Sequence, residues 1–361
     1  MTALAGARVA IVGAGVLGLA AAAELGRRGV RCTLFDPASL GDNASGVSAG
    51  MLAPAFESAL DASTRGRFAL LRDARDLWPA FLKRHDIGGL DRSGAVWTGA
   101  SEAELESVVV ALAREGAAFK RLDALSLRRL QPLLAESLAG GVFAPDDWRI
   151  EAEPTLAALR EAAARSGCTF ETAEVEGLSA DRVEAAGRSW TGDAVLLCAG
   201  YDARRFAEAA PELAVLRAVK GQRLRFPGQA PRSGPVVRSA GGYVTPSASG
   251  ALVGATMEHG AADRTLTPGA GAELRAAAAG LFPHLAQAPA EAAAGVRAET
   301  PDGLPLVGRS ASGVVLAVGA RRNGWLLAPM TAQVVADVIA TTDVSAGAAG
   351  RWTQALRPNR F

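Results

Sequence analysis

Residues 9–36 carry the pattern that most restricts the fold of this chain: a short β-branched strand, a glycine-rich turn, a helix and a second strand ending in an acid. The glycines have the spacing Gly-x-Gly-x-x-Gly at Gly13, Gly15 and Gly18, and the acid is Asp36. The first glycine allows the tight turn, the second lets the backbone approach a pyrophosphate, and the third permits close packing of helix on strand. The helix N-terminus offers free N–H groups to phosphates. The pattern predicts a βαβ dinucleotide-binding unit in which Asp36 binds a ribose diol.

Charge and composition exclude several other classes of protein. The 361 residues include 38 Lys plus Arg against 37 Asp plus Glu, a balance that argues against a nucleic-acid or anionic-membrane partner recruited by bulk charge. Three widely separated cysteines, Cys32, Cys168 and Cys198, indicate neither a disulfide framework nor a metal-binding pair, and they favour a cytoplasmic location. The apolar run at residues 9–23 is shorter than the roughly 20 residues of a membrane span, and its glycines fit a nucleotide turn better than a signal peptide.

The rest of the chain interleaves two kinds of pattern. Strand-then-helix patterns resembling the opening unit occur near both ends, whereas residues 219–257 contain short strands punctuated by Gly, Pro and Ser, typical of an antiparallel sheet. One helix is expected over residues 64–84, and another after Ser101, which forms a capping box with Glu104. We predict an α/β protein whose chain crosses between two domains. Residues 1–85, 143–214 and 296–361 are assigned to a Rossmann-like FAD-binding domain, and residues 86–142 and 215–295 to a substrate domain of antiparallel sheet plus helices.

The choice of FAD over NAD depends on the number of nucleotide-binding units. Residues 192–200 contain an acid, an apolar strand and the small-residue end Ala199–Gly200, which suits an approach to the ADP half of a dinucleotide but equally an ordinary core strand. The glycine pattern by itself fits either cofactor. The chain has one such pattern and no second Rossmann unit for a nicotinamide, so a single tightly held FAD is the more economical interpretation.

Blocks distributed along the chain resemble the D-amino-acid oxidase family of FAD-dependent oxidoreductases, and within it the glycine oxidase branch. The blocks are SAGMLAP (48–54), GVFAPDDW (141–148), VKGQ (219–222), GGYVTP (241–246), VGATME (253–258), GVRAETPDGLPLVG (295–308) and VVLAVGARRNGWLLAPMTAQVVADVI (314–339). They occur in the family's order over nearly the whole chain.

This resemblance implies a set of FAD contacts. They are expected at Gly13, Gly15, Val16, Leu17, Gly18, Asp36, Ser48, Ala49, Gly50, Met51, Val175, Ala199, Gly200, Asn323, Gly324, Trp325, Leu326 and Leu327. The segment 323–327 would meet the pyrimidine edge of the flavin. A Gly-containing turn leading into a helix near Ala328 would present N–H donors and a positive dipole end to the negative charge that develops there.

The same resemblance implies a substrate site. Arg297, Arg322 and Tyr243 match positions that bind the substrate carboxylate, and an arginine fork suits both carboxylate oxygens. Met257 would line the apolar side of the pocket, or simply fill a gap in the core. The chain departs from the family in two places. Just before Arg322, family members often have a histidine followed by an aromatic residue, whereas this chain has Ala320 and Arg321. A proline commonly follows the arginine that matches Arg297, whereas this chain has Ala298. Arg321 would then either admit a bulkier or doubly acidic amine or face solvent.

The implied reaction is oxidation of glycine, sarcosine or a related small amino acid. A hydride passes from Cα to flavin N5, the imine hydrolyses to an oxo acid, and dioxygen reoxidises the flavin to give hydrogen peroxide. No catalytic acid or base and no metal is expected, and the FAD is expected to be non-covalent because no cysteine falls in a matched flavin-contact block. The alternatives are a dicarboxylic secondary amine such as iminodiacetate as substrate, a dehydrogenase using a quinone or protein acceptor, and a non-enzymatic flavoprotein subunit. The oligomeric state is left open.

Overall fold

The computed structural model describes residues 5–340 and 347–361. The strands, in chain order, are β1 (Arg8–Val12), β2 (Arg31–Phe35), β3 (Met51–Leu52), β4 (Leu90–Asp91), β5 (Ala95–Gly99), β6 (Lys120–Asp123), β7 (Gly140–Ala144), β8 (Trp148–Ile150), β9 (Thr169–Glu171), β10 (Val175–Leu178), β11 (Arg182–Ala185), β12 (Arg188–Thr191), β13 (Ala194–Leu197), β14 (Arg217–Pro227), β15 (Val236–Ser239), β16 (Gly242–Thr245), β17 (Gly250–Gly254), β18 (Glu258–His259), β19 (Glu291–Glu299), β20 (Leu306–Arg309) and β21 (Val315–Val318).

Helices connect these strands and cover their faces. In chain order they are α1 (Val16–Arg27), α2 (Ala44–Val47), α3 (Pro54–Leu60), α4 (Phe68–Asp76), α5 (Trp78–His85), α6 (Glu102–Glu115), α7 (Ala124–Leu130), α8 (Ala152–Arg165), α9 (Pro268–Leu281), α10 (Gly324–Ile339) and α11 (Gly347–Leu356). No helix among the described residues is long and apolar enough to cross a membrane.

The first sheet has the strand order β20-β21-β13-β1-β2-β9 and is parallel except at β20. Strand β1, near the middle of this sheet, is apolar on both faces because other elements cover both faces. Val9 and Ile11 pack with helices α1, α8 and α10, while the alternate residues Ala10 and Val12 pack with the small antiparallel sheet β10-β11-β12. The βαβ opening predicted from the glycine pattern is confirmed, and the parallel strands end together at the glycine turn.

The second sheet follows the order β18-β14-β17-β16-β15-β5-β7-β6, with β19 also paired to β14. Its pairings are antiparallel except between β15 and β5, which confirms the antiparallel middle section. Helix α9 packs on one face, and α3 and α6 contribute to a second apolar cluster with β5 and β7. A further small sheet joins β3, β8 and β4. The two large sheets take their strands from interleaved stretches of chain, and the exact domain boundaries stay a prediction.

Three local predictions need correction. The helix expected over residues 64–84 is two helices, α4 and α5, joined at Leu77, because Pro79 has no N–H with which to continue the first one. Ser101 caps α6 by accepting the N–H of Glu104, but the Glu104 carboxylate accepts the N–H of Ala100 instead of closing the box. Helix α10 begins at Gly324, one turn before the expected start near Ala328.

The packing of α1 on its turn makes a testable prediction about Gly18. A Cβ at this position would overlap with the carbonyl oxygen of Gly13, a backbone atom that cannot move without opening the turn. We expect Gly18→Ala to lower the free energy of unfolding by roughly 3 kcal/mol or more. In the matched control, Gly280→Ala, the new Cβ meets nothing within 4 Å on helix α9, so stability should hold or rise by up to ~1 kcal/mol. Equal effects in denaturant titrations would contradict the proposed role of the Gly18 contact.

Candidate functional site

The first of two adjoining cavities opens where the parallel strands β1, β2 and β13 end. This nucleotide cavity is lined in part by Gly13, Gly15, Val16, Leu17, Asp36, Ser45, Val175, Cys198, Ala199, Gly200, Arg297, Arg321 and Gly324. Gly13 has φ of 108°, and a Cβ there would lie 2.7 Å from the carbonyl oxygen of Cys198. The glycine therefore permits both the left-handed turn and the close approach of β13, and the cavity sits at the carboxyl ends of the strands, where doubly wound sheets bind ligands.

The acid at the end of β2 is held against the glycine turn. Asp36 accepts the N–H of Ala14 at 2.6 Å through Oδ2 and the N–H of Ala38 at 2.9 Å through Oδ1. Ser45 Oγ accepts the N–H of Val16 at 3.0 Å. The other N–H groups in the first turn of α1 have no partners within the helix, as at any helix N-terminus. A carboxylate has further lone pairs, so Asp36 can still accept from a ribose diol. The glycine turn, the helix N-terminus and this fixed acid fit the ADP half of FAD.

The second cavity lies between helix α3, the start of α10 and one face of the second sheet. This substrate cavity is lined in part by Ser48, Ala49, Gly50, Met51, Glu57, Asp61, Gly221, Arg223, Arg238, Tyr243, Gly254, Met257, Arg297, Arg322, Asn323 and Trp325. Ala44 and Arg297 line both cavities, so the two are contiguous. Asn323 and Trp325 line one cavity and Gly324 the other, which places the N-terminus of α10 at their junction.

Arg297 is the charged residue at that junction. Its guanidinium lies over Gly221 on the neighbouring strand β14, where any Cβ would overlap with it. Nη1 donates to the Thr256 carbonyl at 3.3 Å and lies 3.5 Å from Met257 Sδ. Among the described residues, no carboxylate lies within 4.0 Å of this guanidinium, and burial lowers the pKa of Arg297. The cavity thus presents a cation that lacks an anionic partner among residues 5–340 and 347–361.

Tyr243 and Met257, for which the resemblance implied a place in the substrate site, line the same cavity as this arginine. The Tyr243 hydroxyl lies over Gly254 on the neighbouring strand β17, where a Cβ would overlap with it. Burial raises the pKa of Tyr243, so the phenol is a neutral hydrogen-bond donor at ordinary pH. Together with Arg297, the hydroxyl could bind a carboxylate while Met257 supplies apolar contact.

Arg322 also lines the substrate cavity, but protein carboxylates hold it there. It donates to Glu57 Oε1 at 3.0 Å and to Asp61 Oδ2 at 3.2 Å. Arg238 donates to the same Glu57 oxygen at 2.9 Å. Burial by itself raises the pKa of Glu57, but the charges of Arg322 and Arg238 outweigh burial and hold that pKa below its ordinary value. The sequence analysis missed Glu57, Asp61 and Arg238; the available signal was an acid within the otherwise apolar segment that forms α3.

Arg321, for which the sequence left open a substrate contact or a solvent-facing position, is buried beside the nucleotide cavity. It lines the nucleotide cavity and not the substrate cavity, and its side chain is only 10% exposed, so a solvent-facing position is wrong. It donates to Asp61 and to Ser63 Oγ, and its Nε lies 2.6 Å from Glu299 Oε1. The protein itself therefore provides two carboxylates for this cation, and its predicted contact with substrate would have to compete with them.

Other predicted cofactor residues divide into lining and supporting positions. Ser48, Ala49, Gly50 and Met51 line the substrate cavity next to the junction. The side chains of Leu326 and Leu327 are fully buried in the core and line neither cavity, and Gly18 packs beneath the turn. None of His85, His259 and His284 lines either cavity, and no cluster of three metal-ligating side chains occurs in the part of the chain that is described.

Comparisons with known proteins agree with this geometry. The model of the DAO family, described as FAD dependent oxidoreductase, matches residues 8–338. The glycine oxidase of Geobacillus kaustophilus (strain HTA426) is 32% identical over 351 residues, covering 92% of each chain. A crystal structure of glycine oxidase from Geobacillus kaustophilus aligns with TM-score 0.86 and 28% identity over 98% of this chain and 99% of that one. A crystal structure of iminodiacetate oxidase from Chelativorans sp. BNC1 aligns with TM-score 0.83 and 25% identity over 97% and 99%.

The buried ion pairs around Glu57 make a prediction about stability. Glu57→Gln leaves Arg238 and Arg322 without their shared charge, so the free energy of unfolding should fall by about 3–5 kcal/mol. Because the pKa of Glu57 is lower in the folded protein, its contribution should be complete above about pH 5 and should shrink as the pH falls below about 4. Denaturant titrations at several pH values would measure this.

The matched control for that experiment is Glu102→Gln, which breaks an exposed pair with Arg121. We expect a much smaller change, because solvent screens such pairs. A Glu57→Gln loss no larger than the control's would show that the buried pairs do not stabilise the site.

Proposed function

Because this chain belongs to the DAO family of FAD-dependent oxidoreductases, we propose that it oxidises small amino acids or N-substituted glycines of the glycine and sarcosine type. The observation that carries the substrate class is Arg297 at the junction of the two cavities, a cation with no carboxylate partner in the part of the chain that is described. The similarity to glycine oxidases over 92% of the chain supports the same class.

Residues of both cavities would hold the cofactor. The glycine turn, Asp36 and Val175 would bind the ADP half, and the backbones of residues 48–51 and 323–327 would border the ring system. When bound, FAD supplies a hydride acceptor at N5 for the substrate Cα–H bond and a route for the electrons to dioxygen, which gives hydrogen peroxide. The N-terminal dipole of α10 favours negative charge at this junction.

The protein side chains act by binding and orienting the substrate. The Arg297 fork takes the two carboxylate oxygens, the Tyr243 hydroxyl donates to one of them, and Met257 packs against the apolar part. A tethered carboxylate restricts the orientation of Cα, which provides the entropic part of catalysis. No protein acid or base is needed, since the lone pair of a neutral amine drives imine formation. The imine hydrolyses in water to an oxo acid and an amine or ammonia.

We further propose a cytoplasmic location and dioxygen as the electron acceptor. The location is supported by three buried cysteines that are free thiols. Stoichiometric oxygen uptake and peroxide release would support the oxidase. Turnover that appears only with a dye or quinone would replace it with a dehydrogenase.

Substitution of Arg297 tests the proposed substrate binding. Arg297→Ala removes the charged fork, and kcat/KM for the best amine acid should fall by about 10²–10³-fold, the effect of losing roughly 3–4 kcal/mol of charged hydrogen bonding. In Arg297→Lys, kcat/KM should fall less, because lysine keeps the charge without the fork. Arg188→Ala, on strand β12 with a side chain 78% exposed, is the control and should behave as wild type. Wild-type kinetics in the Arg297→Ala enzyme, with normal flavin content, would exclude this function for the residue.

The mode of FAD attachment makes a separate prediction. Cys198 is the one cysteine among the described residues that lines the nucleotide cavity, and burial raises the pKa of its thiol, so it is a poor nucleophile. Precipitation of the holoenzyme with acid should therefore leave a colourless pellet and a yellow supernatant. A yellow pellet would demonstrate a covalent bond.

A further inference from the structure

The substrate cavity contains more positive charge than one carboxylate requires. Its charged lining residues are Glu57, Asp61, Arg223, Arg238, Arg297 and Arg322. The two carboxylates pair with Arg238 and Arg322. The two arginines that remain are Arg297, which would bind the carboxylate of an amino acid, and Arg223.

Arg223 is a buried cation with unused hydrogen-bonding capacity. The residue is 8% exposed, and its Nε is buried without a hydrogen-bond partner. Among the described residues, the carboxylate nearest to it is that of Glu153, at 3.6 Å from Nη2, beyond hydrogen-bond length. That carboxylate is half-exposed and forms a closer ion pair with Arg225. A buried donor left without a partner is costly, so a ligand anion at this position would be favoured.

Strand pairing places Arg223 on the same sheet face as Arg297 and Tyr243. Arg297 lies over Gly221, and Arg223 follows two residues later on β14, so the Cα atoms of Gly221 and Arg223 are about 7 Å apart along one face. Across the strands, Arg223 on β14 pairs with Gly254 on β17, and Gly254 pairs with Tyr243 on β16. Because the Tyr243 hydroxyl lies over Gly254, it extends from its own strand towards Arg223. Gly221, Gly254 and the side chains of Arg223, Tyr243 and Arg297 all line the substrate cavity.

We propose that Arg223 binds a second carboxylate of the substrate, so that the preferred substrates are amines carrying two acid groups, one held by Arg297 and the other by Arg223. This rests on the proposed amine oxidation and selects within it secondary amines of the iminodiacetate type over glycine and sarcosine. It also assigns the second acid group to Arg223 and not to Arg321, whose charge Asp61 and Glu299 already balance.

Binding of molecules that cannot be oxidised tests the site apart from turnover. Diglycolate has an ether oxygen in place of the iminodiacetate nitrogen, and methoxyacetate is its analogue with a single carboxylate. Calorimetric titration of the holoenzyme should show diglycolate binding at least tenfold more tightly, as expected for one additional charged hydrogen-bonded contact. Arg223→Met should remove this difference and leave the affinity for methoxyacetate unchanged. Equal affinities of the wild-type enzyme for the two compounds would overturn the proposal.

Kinetics with iminodiacetate and sarcosine test the same site in catalysis. The wild-type enzyme should have the higher kcat/KM for iminodiacetate, and Arg223→Met should lower that value by at least tenfold while sarcosine oxidation stays within about threefold. Arg223→Lys should retain part of the preference because it keeps the charge. A loss of equal size on both substrates would show a structural role and overturn the proposal.

Arg225→Met is the matched control on the same strand. It removes the closer partner of Glu153, but Arg225 does not line the substrate cavity, so the ratio between the two substrates should not change. A shift in that ratio like the one in Arg223→Met would trace the effect to Glu153 and contradict a substrate contact at Arg223.

If sarcosine is oxidised at least as well as iminodiacetate, only this inference fails. If no amine acid is oxidised, the proposed function fails.

Discussion

The positive charge of Arg297, which has no carboxylate within 4.0 Å among the described residues, is the feature around which the site is organised. It stands on β19, the strand that pairs with β14 in the second sheet and leads towards β20 in the first. Gly221 lets the guanidinium lie flat on the sheet, so that it borders both cavities. A cation in this position attracts and orients an acid at the point where the cofactor and substrate spaces meet.

Glycines give the site its shape by leaving room for functional groups. Gly13 and Gly18 let β1, β13 and α1 approach closely enough to form the nucleotide turn. Gly221 and Gly254 play a different part, since each leaves a bare patch of sheet that a guanidinium or a phenol covers. In both cases the missing side chain is replaced by a specific contact, which explains why small substitutions there should affect binding as well as packing.

The remaining charges form a network that fixes the wall opposite the sheet. Helix α3 is held at its N-terminus by Asp147, which accepts the N–H groups of Ala55 at 2.7 Å and Phe56 at 3.0 Å. That helix carries Glu57, which pairs with Arg238 and Arg322. Of the cavity's arginines, the network pairs Arg238 and Arg322, whereas no carboxylate among the described residues lies within hydrogen-bond distance of Arg297 or Arg223. The cavity is therefore cationic because of where the carboxylates are placed, and not because arginine is abundant.

The sequence by itself determined the nucleotide unit, since a glycine turn between strand and helix is a local structure whose conformation depends on neighbouring residues. It also pointed to Arg297, Tyr243 and Met257 through motifs in which each residue lies within a recognisable block. Only the tertiary structure decided how each charge is used. Arg322 and Glu57 are 265 residues apart in the chain, and Arg321 and Asp61 are 260 apart. Arg223 reaches the same face as Tyr243 only through the register of three strands. Ion pairing depends on distance and burial in the folded chain, and no local pattern encodes either of them.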